Sequence, residues 1–242
     1  MIQFLTLQVL KIFDFFHKKK LLSFLKKKNL DNFETVFDVG AHKGETIELY
    51  IKHFKIKKLY SFEPSYLSFN YLKRKINQSK IKTSKTQIFI ENIALGNEIK
   101  QIKIKHMNES SSSTIKDINI DSKYFKKKQK LLFNFTDKNF FNELNSYQLT
   151  LDDYMSQKNI IKLSFLKIDT EGYEFEVLSG AKKNIKNINL ILFEHHYHDM
   201  IKKNYKFGDV HDFLKKNNFE LIFKAKMPFR KTFEYIYKNK VY

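Results

Sequence analysis

The chain has 242 residues, 42% hydrophobic and 16% aromatic, so it can bury a core of its own and is not a disordered segment. It has no cysteine, which excludes disulfides, thiolate metal sites and a cysteine nucleophile. With 45 Lys and Arg against 26 Asp and Glu, the formal net charge is +19, which invites a polyanionic partner. The excess is almost all lysine in a chain also rich in Asn, Ile and Phe, and AT-rich codon usage alone produces this bias.

The first 30 residues combine an apolar helical face with clusters of lysine. Phe4, Leu7, Leu10 and Phe16 recur at helical spacing, and the lysines follow them. The polar interruptions, the late basic residues and the lack of a small-residue cleavage site argue against a signal peptide, and the run is too short and polar to span a bilayer. We therefore expect an N-terminal helical extension over residues 1–32, a pair of helices packed on the domain. Peripheral contact with a membrane, in an otherwise cytoplasmic protein, is the alternative.

From Thr35 onward, short β-rich runs alternate with helical patterns, which is the order of a parallel sheet wrapped by helices. The runs predict strands at residues 35–39, 58–62, 87–93, 163–168, 189–194, 219–225 and 232–237. The helical patterns predict helices at residues 44–54, 65–77, 173–185 and 208–217. Together they predict one α/β domain over residues 33–242.

Residues 99–153 interrupt this alternation. The apolar and basic alternation of IKQIKIKHM predicts an added strand, and YQLTLDDYM predicts a second one that leads into a turn. Between them, NESSSSTIKD has the composition of a loop. The segment is too poor in hydrophobic residues for a domain of its own. We expect a β-rich flap over the open end of the sheet, where loops carry function.

In an open parallel sheet, ligands bind beyond the carboxyl ends of the strands. The first strand ends in VFDVGAHKGE, where Gly40 and Gly44 let the backbone approach a ligand. The second ends in Glu63 before Pro64, and a carboxylate there can accept hydrogen bonds from ribose hydroxyls. A dinucleotide dehydrogenase shares that feature. However, the loop is not GxGxxG, and Asp38 would repel a pyrophosphate, so the residues suit a cofactor with a positive end, such as S-adenosylmethionine.

The next two strand ends add polar and acidic side chains. Asn92 can read an adenine edge, and Ala94 leaves room for the ring. In FLKIDTEGYEFEVLSGA, Asp169 is followed closely by Glu171 and Glu174. Several carboxylates at one strand end require a cation, a proton or a ligand amine, so this stretch is a candidate active site. For Glu174, favourable charge at the start of a helix is an equally good explanation.

The fifth strand ends in FEHHYH, which brings Glu194, His195, His196 and His198 to the same edge. A histidine at this edge can act as a general base near neutral pH. Because neighbouring residues of a strand point to opposite faces, His195 and His196 are poorly placed to share one metal ion. We expect no metal and at least one purely structural histidine.

These motifs together resemble the FkbM-type S-adenosylmethionine-dependent O-methyltransferases. The resemblance covers residues 33 to about 237 and rests on VFDVGAHKGE, YSFEP, NIALGN, SSSST, LTLDDYM, FLKIDTEGYEFEVLSGA and FEHH, in that order. It implies a Rossmann-like α/β fold with a seven-stranded, mostly parallel sheet, an antiparallel last strand and helices on both faces.

The resemblance also implies a cofactor and an acceptor. The cofactor is S-adenosylmethionine, and the acceptor is a hydroxyl of a sugar, a glycan precursor or another small metabolite. The expected cofactor-binding residues are Asp38, Gly40, Ala41, Gly44, Glu63, Pro64, Asn92, Ala94 and Asp169. In catalysis, Asp169 or His195 would take the proton of the acceptor, and Glu171 would orient the acceptor.

Two other functions stay open from the sequence. The positive charge keeps an RNA or protein methyltransferase in view, although the NPPY-type motif of base methylation is absent and no RNA-binding module is evident. A membrane-associated protein that keeps the fold without turnover is the non-enzymatic alternative.

Overall fold

A seven-stranded sheet forms the centre of the protein. The computed structural model describes residues 2–78, 85–107, 113–132 and 141–242. The strands of the sheet are β1 (Asn32–Val39), β2 (Lys55–Phe62), β3 (Gln87–Glu91), β8 (Leu163–Ile168), β9 (Ile188–His196), β10 (Phe219–Lys226) and β11 (Thr232–Asn239). Their spatial order is β10-β11-β9-β8-β1-β2-β3. Neighbours pair in parallel except β11, which runs antiparallel to β9 and β10. The predicted α/β fold is confirmed.

The central strands are buried on both faces, as expected of a parallel sheet covered by helices. Val36 and Phe37 are adjacent in β1, and neither is exposed to solvent. Because successive side chains of a strand point to opposite faces, Val36 belongs to one apolar cluster with Phe165, and Phe37 belongs to another with Phe193. The sheet therefore has a core on each face, and its strand ends are held rigidly.

Five of the described helices that follow β1 surround this sheet: α2 (Glu45–His53), α3 (Tyr66–Gln78), α5 (Leu151–Gln157), α6 (Glu174–Ser179) and α7 (Phe207–Lys216). The predicted helix at 173–185 is too long, because α6 ends at Gly180. The Gly180 carbonyl accepts a hydrogen bond from the Asp152 N–H at 3.0 Å, and a Cβ on Gly180 would lie 2.0 Å from the Gly96 carbonyl oxygen. Close packing against the inserted segment ends the helix there.

The inserted segment and a short strand just before it form a second sheet. Its strands are β4 (Ala94–Gly96), β5 (Lys100–Met107), β6 (Ser113–Thr114) and β7 (Phe141–Thr150), in the order β4-β7-β5-β6, and a helix, α4 (Lys123–Leu132), lies between β6 and β7 in the chain. The strand predicted at 87–93 ends earlier than expected, because β3 ends at Glu91 and the next strand in the chain, β4, belongs to the second sheet.

Two details of this segment differ from the sequence prediction. The strand predicted in YQLTLDDYM ends at Thr150 and continues as α5 rather than a turn, because the Thr150 side chain caps the helix by accepting the Asp153 N–H at 3.0 Å. Of the expected serine loop, residues 108–112 lie outside the described residues, and Ser113 pairs with His106 in a strand.

The chain begins with one long helix, α1 (Ile2–Lys27), where the sequence suggested a pair. Its second half packs on the domain through the buried Leu21, Leu22 and Leu25. Its middle crosses the carboxyl edge of the sheet, where Asp14 forms a 2.7 Å ion pair with Arg230. Among the described helices, none is both long enough and apolar enough to cross a membrane.

Candidate active site

A cavity of about 600 Å³ lies at the carboxyl ends of β1, β2, β8 and β9, with α1 and the second sheet also contributing to its wall. Among the described residues, seven carboxylates line it: Asp14, Glu45, Glu63, Asp169, Glu171, Glu194 and Glu234. Only three lysine or arginine side chains of the described residues do so: Lys18, Lys167 and Arg230. The chain as a whole has a net charge of +19, so the excess negative charge of this wall is opposite in sign to that of the whole protein. Such a cavity favours a ligand with a positive charge.

The loop after β1 brings the backbone to the cavity. Gly40 has a φ of 84°, and a Cβ there would lie 1.9 Å from the Asp169 carbonyl oxygen, so a larger residue would push the ends of β1 and β8 apart. The N–H groups of Gly40 and Ala41 both donate to the Phe62 carbonyl at 3.0 Å, and both residues line the cavity. Gly44 is placed differently, because it packs against Leu72 and is not a lining residue.

Asp38 lies behind the cavity wall, and Lys167 connects it to the cavity. It is fully buried, and Lys167 Nζ lies 2.9 Å from its Oδ1. The same ammonium lies 3.5 Å from Asp169 Oδ2 and donates to the Gly40 carbonyl at 3.2 Å. Burial alone would lower the pKa of Lys167, but Asp38 and Asp169 raise it above its ordinary value. Lys167 is therefore a fixed cation that holds two strand ends together.

Glu63 lines the cavity with its carboxylate held in place. Its Oε2 accepts the His42 N–H at 2.8 Å and its Oε1 accepts the Ser65 N–H at 2.9 Å. Burial raises the pKa of Glu63, whereas these two hydrogen bonds lower it. Since a carboxylate oxygen accepts two hydrogen bonds, each oxygen keeps a lone pair for a ligand.

The neighbouring predicted residues separate into lining and supporting groups. Pro64 and Ala94 line the cavity. Asn92 does not, because its side-chain amide donates to the Glu63 and Pro64 carbonyls at 2.8 and 3.1 Å and ties down the loop after β2. Its structural role here is to hold Glu63 in place.

The residues after β8 form the opposite wall. Asp169 N–H donates to the Val39 carbonyl at 2.9 Å, and its carboxylate is about a third exposed at the cavity. Glu171 has a left-handed φ of 50°, and its carbonyl accepts the Thr114 hydroxyl at 2.8 Å, which joins this wall to the second sheet. Glu174 is fully buried and accepts the Gly172 N–H at 3.0 Å, so it organises the loop and is not a lining residue.

The structure corrects the assignment of His195 as a base. His195 does not line the cavity and packs among Tyr197, Tyr205 and Phe207, with ring centroids 4.7, 5.8 and 5.8 Å away. Burial lowers its pKa to about 3, so it is neutral at physiological pH. The sequence placed a histidine at this edge but could not show which of two adjacent side chains would face the site.

His196 is the histidine next to the acidic wall. Its Nε2 lies 3.2 Å from Glu171 Oε2 and 4.0 Å from Glu194 Oε2. Burial alone would lower the pKa of His196, but Glu171 and its neighbours raise it above the ordinary value. Burial and the charge of Asp169 raise the pKa of Glu194 well above its ordinary range. The protonated form of His196 is therefore favoured beside the Glu171 carboxylate, and burial favours the protonated form of Glu194.

The remaining histidine of the motif, His198, stacks on Tyr124 with ring centroids 4.1 Å apart. Burial lowers its pKa to about 3. In the described part of the chain, no group of three or more His, Asp or Glu side chains is arranged to hold a metal ion.

Several lining residues were not predicted from the sequence. Lys167 had a signal in the sequence, because a lysine inside the apolar run FLKI must find a buried partner. Asp14, Lys18, Arg230 and Glu234 had none, since they come from α1 and from the hairpin of β10 and β11.

Comparisons with known proteins agree with this architecture. The family model described as the methyltransferase FkbM domain matches residues 38–221. The crystal structure of methyltransferase FkbM from Methylobacillus flagellatus KT superposes with a TM-score of 0.53 at 16% identity, covering 86% of this chain and 44% of that one. The magnesium protoporphyrin IX methyltransferase of Synechocystis PCC 6803 with bound SAM has a TM-score of 0.53 at 8% identity, covering 95% of this chain and 81% of that one.

The solved structures and the family model support different conclusions about this chain. No curated protein matches the chain. At such low identities the solved structures show a shared fold, and the chain spans less than half the length of the Methylobacillus protein. The family model, in contrast, covers most of the chain, including the segments that bring Glu63, Asp169 and Glu194 to the cavity. The chain therefore belongs to the FkbM methyltransferase family.

Proposed function

We propose that this protein uses S-adenosylmethionine to methylate a hydroxyl group of a sugar, a glycan precursor or another small metabolite. The main support for this function is the acidic wall of the cavity in a strongly basic chain. When bound, S-adenosylmethionine supplies a methyl group attached to a positively charged sulfur. It also has an ammonium group and no phosphate, so the acidic lining suits it better than it suits a dinucleotide.

The residues present fit this cofactor. The cavity volume, about 600 Å³, lies within the range of small-molecule sites. Glu63 has free lone pairs for ribose hydroxyls, and the Gly40 and Ala41 backbone allows close approach. Ala94 leaves room beside the cavity for a ring. Asp38 is proposed to act indirectly, by fixing Lys167 and through it the wall that the cofactor meets.

Asp169 is the carboxylate best placed to take the proton of an acceptor hydroxyl. Glu194 is less suited to this role, because burial and the charge of Asp169 raise its pKa and favour its protonated form. Glu171 is paired with His196 at 3.2 Å and is better suited to orient the acceptor through hydrogen bonds. The carboxylate of Asp169 is partly exposed at the cavity, so its free oxygen can accept the proton as the acceptor hydroxyl reacts.

The position of His195 has a consequence for pH dependence. Its pKa is about 3 in the folded protein, below the ordinary 6.5, so at pH values between the two the unfolded chain binds a proton that the folded chain does not. His195 is therefore expected to lower the free energy of unfolding as the pH drops below about 6.5, whereas His196, whose pKa is raised, contributes with the opposite sign. His195→Phe should make this fall shallower, though His198 contributes with the same sign.

Urea unfolding between pH 4.5 and 7 would measure this slope. Methyl transfer by His195→Phe should stay within about threefold of the wild type, because His195 does not line the cavity. An unchanged slope, or a collapse of transfer in a variant that remains folded, would contradict this placement of His195.

The proposed function can be tested with S-adenosylmethionine carrying a labelled methyl group. The protein would be incubated separately with a sugar and glycan-precursor fraction, with RNA and with a protein fraction, and the folded Asp169→Asn variant would serve as the control. We expect label in the hydroxylated small molecules, in a linkage that resists mild alkali as an ether does. Label confined to RNA or protein would refute the acceptor class. S-adenosylhomocysteine binding without transfer to any fraction would favour the catalytically inactive alternative.

A further inference from the structure

An exposed aromatic patch lies beside the mouth of the cavity. It is formed by the middle of α1 and the turn between β10 and β11, and we define it as Ile12, Phe13, Phe15, Phe16 and Phe229. Phe229 is 73% exposed, Phe15 62%, Phe16 59% and Ile12 55%. The rings of Phe13 and Phe229 meet at 4.9 Å, which joins α1 to the turn, and those of Phe15 and Phe16 lie 5.7 Å apart on α1.

Helix α1, which carries most of the patch, has buried apolar side chains in its second half and exposed ones in its middle. In the second half of α1, Leu21, Leu22 and Leu25 are buried against the sheet, and lysines face the solvent. In the middle of the helix, large apolar side chains face the solvent instead. Four or five adjacent large apolar side chains are unusual on a free surface and mark a binding site. The patch is rigidly presented, since Asp14 and His17 fasten this part of α1 to Arg230 and Glu234 at 2.7 and 2.8 Å.

Basic residues border the patch. Lys18, Lys19 and Lys20 follow it on α1, and Arg230 and Lys231 follow Phe229 in the turn. Asp14, the acidic residue of this part of α1, is neutralised by Arg230. Aromatic side chains that enter the boundary between headgroups and acyl chains, with lysines beside them for lipid phosphates, are typical of interfacial helices on anionic membranes. A protein partner or a second copy of the chain would not require this concentration of lysine around the apolar residues.

We propose that the aromatic patch docks on the surface of an anionic lipid bilayer. Phe15 belongs to the patch, Lys18 and Arg230 border it, and all three also line the cavity. Docking would therefore bring the cavity mouth to the level of the headgroups, where an acceptor anchored in the membrane is within reach. That consequence rests on the proposed function, whereas docking itself does not.

Co-sedimentation with vesicles tests the docking. The full chain would be mixed with vesicles of phosphatidylcholine alone and of phosphatidylcholine with about one third phosphatidylglycerol. The test variant is Ile12→Ser/Phe16→Ser/Phe229→Ser. The matched control is Ile161→Ser/Val241→Ser, because both residues are 77% exposed and lie beside the amino end of β8 and the end of β11, at the opposite edge of the sheet.

We expect the wild type and the control to bind the anionic vesicles and the test variant to bind at least about tenfold less tightly, since three apolar side chains are removed from the contact. Equal binding by all three proteins would overturn the proposal, because general attraction of a basic chain would then explain it. An absence of vesicle binding would also overturn it, as would a dimer that the test variant alone abolishes.

Two controls separate this result from misfolding and from failure of the proposed function. The test variant should unfold at the same temperature as the wild type, since the replaced side chains are exposed. Its affinity for S-adenosylhomocysteine, measured by calorimetry, should be unchanged, because Ile12, Phe16 and Phe229 do not line the cavity. Loss of vesicle binding with both properties intact would assign the loss to the patch.

Discussion

Asp169→Asn is expected to lower the rate of methyl transfer about 10²- to 10⁴-fold, because the variant lacks the group that accepts the proton of the acceptor hydroxyl. The substitution keeps the size of the side chain. Lys167 also keeps its 2.9 Å contact with Asp38, so the strand ends should remain in place. Affinity for S-adenosylhomocysteine should change by less than about tenfold. Single-turnover transfer and calorimetry measure the two quantities.

Two further variants serve as a comparison and a control for Asp169→Asn. Glu171→Gln should raise KM more than it lowers kcat, because Glu171 is proposed to orient the acceptor rather than to take its proton. Asp212→Asn, on the exposed surface of α7, should behave as the wild type. If Asp169→Asn turned over acceptor at the wild-type rate, Asp169 would not be the base.

Gly40→Ala is expected to lower the free energy of unfolding by about 3 kcal/mol or more and to abolish cofactor binding. A left-handed φ costs an alanine about 1–2 kcal/mol, and Gly40 has a φ of 84°. Its Cβ would also lie 1.9 Å from the Asp169 carbonyl oxygen, which is a backbone atom held by the pairing of β1 and β8. Relief of this clash requires the two strand ends to separate, and the cavity is built on them.

Gly208→Ala is the matched control for this variant. Gly208 lies in the first turn of α7, and no atom lies within 4 Å of the position that its Cβ would occupy. Alanine there should raise the free energy of unfolding by about 0.5–1 kcal/mol, because it restricts the unfolded chain more than glycine does. Urea unfolding of both variants compares the two positions. Equal stability of Gly40→Ala and the wild type would show that the loop after β1 is not constrained as described.

The central sheet was predictable from the sequence because its signals are local. The run at residues 163–168 is mostly apolar over the length of one strand, and β8 has the same bounds. The errors arose where distant contacts decide the structure. Helix α6 ends at Gly180 because Gly96, 84 positions earlier in the chain, packs against it. The strand predicted at 87–93 ends at Glu91, because the chain then leaves the central sheet and β4 pairs with β7, whose partner residues begin at Gln148.

The site was predictable at the level of strand ends but not of side-chain direction. Sequence order placed Glu63, Asp169 and Glu171 at one edge, and all three line the cavity. It could not distinguish His195 from His196, because which face of β9 each one points to depends on the packing of the whole sheet. The ion pair between Asp14 and Arg230 joins residues 216 positions apart, so no local sequence pattern predicts it.

The central claim is that the acidic cavity binds a cationic cofactor without phosphate. Isothermal titration calorimetry of the wild-type chain with S-adenosylmethionine, and separately with NAD⁺, tests it most directly. Saturable binding of one S-adenosylmethionine per chain with no heat from NAD⁺ is the predicted result. Binding of NAD⁺, or no binding of S-adenosylmethionine by folded protein, would contradict it.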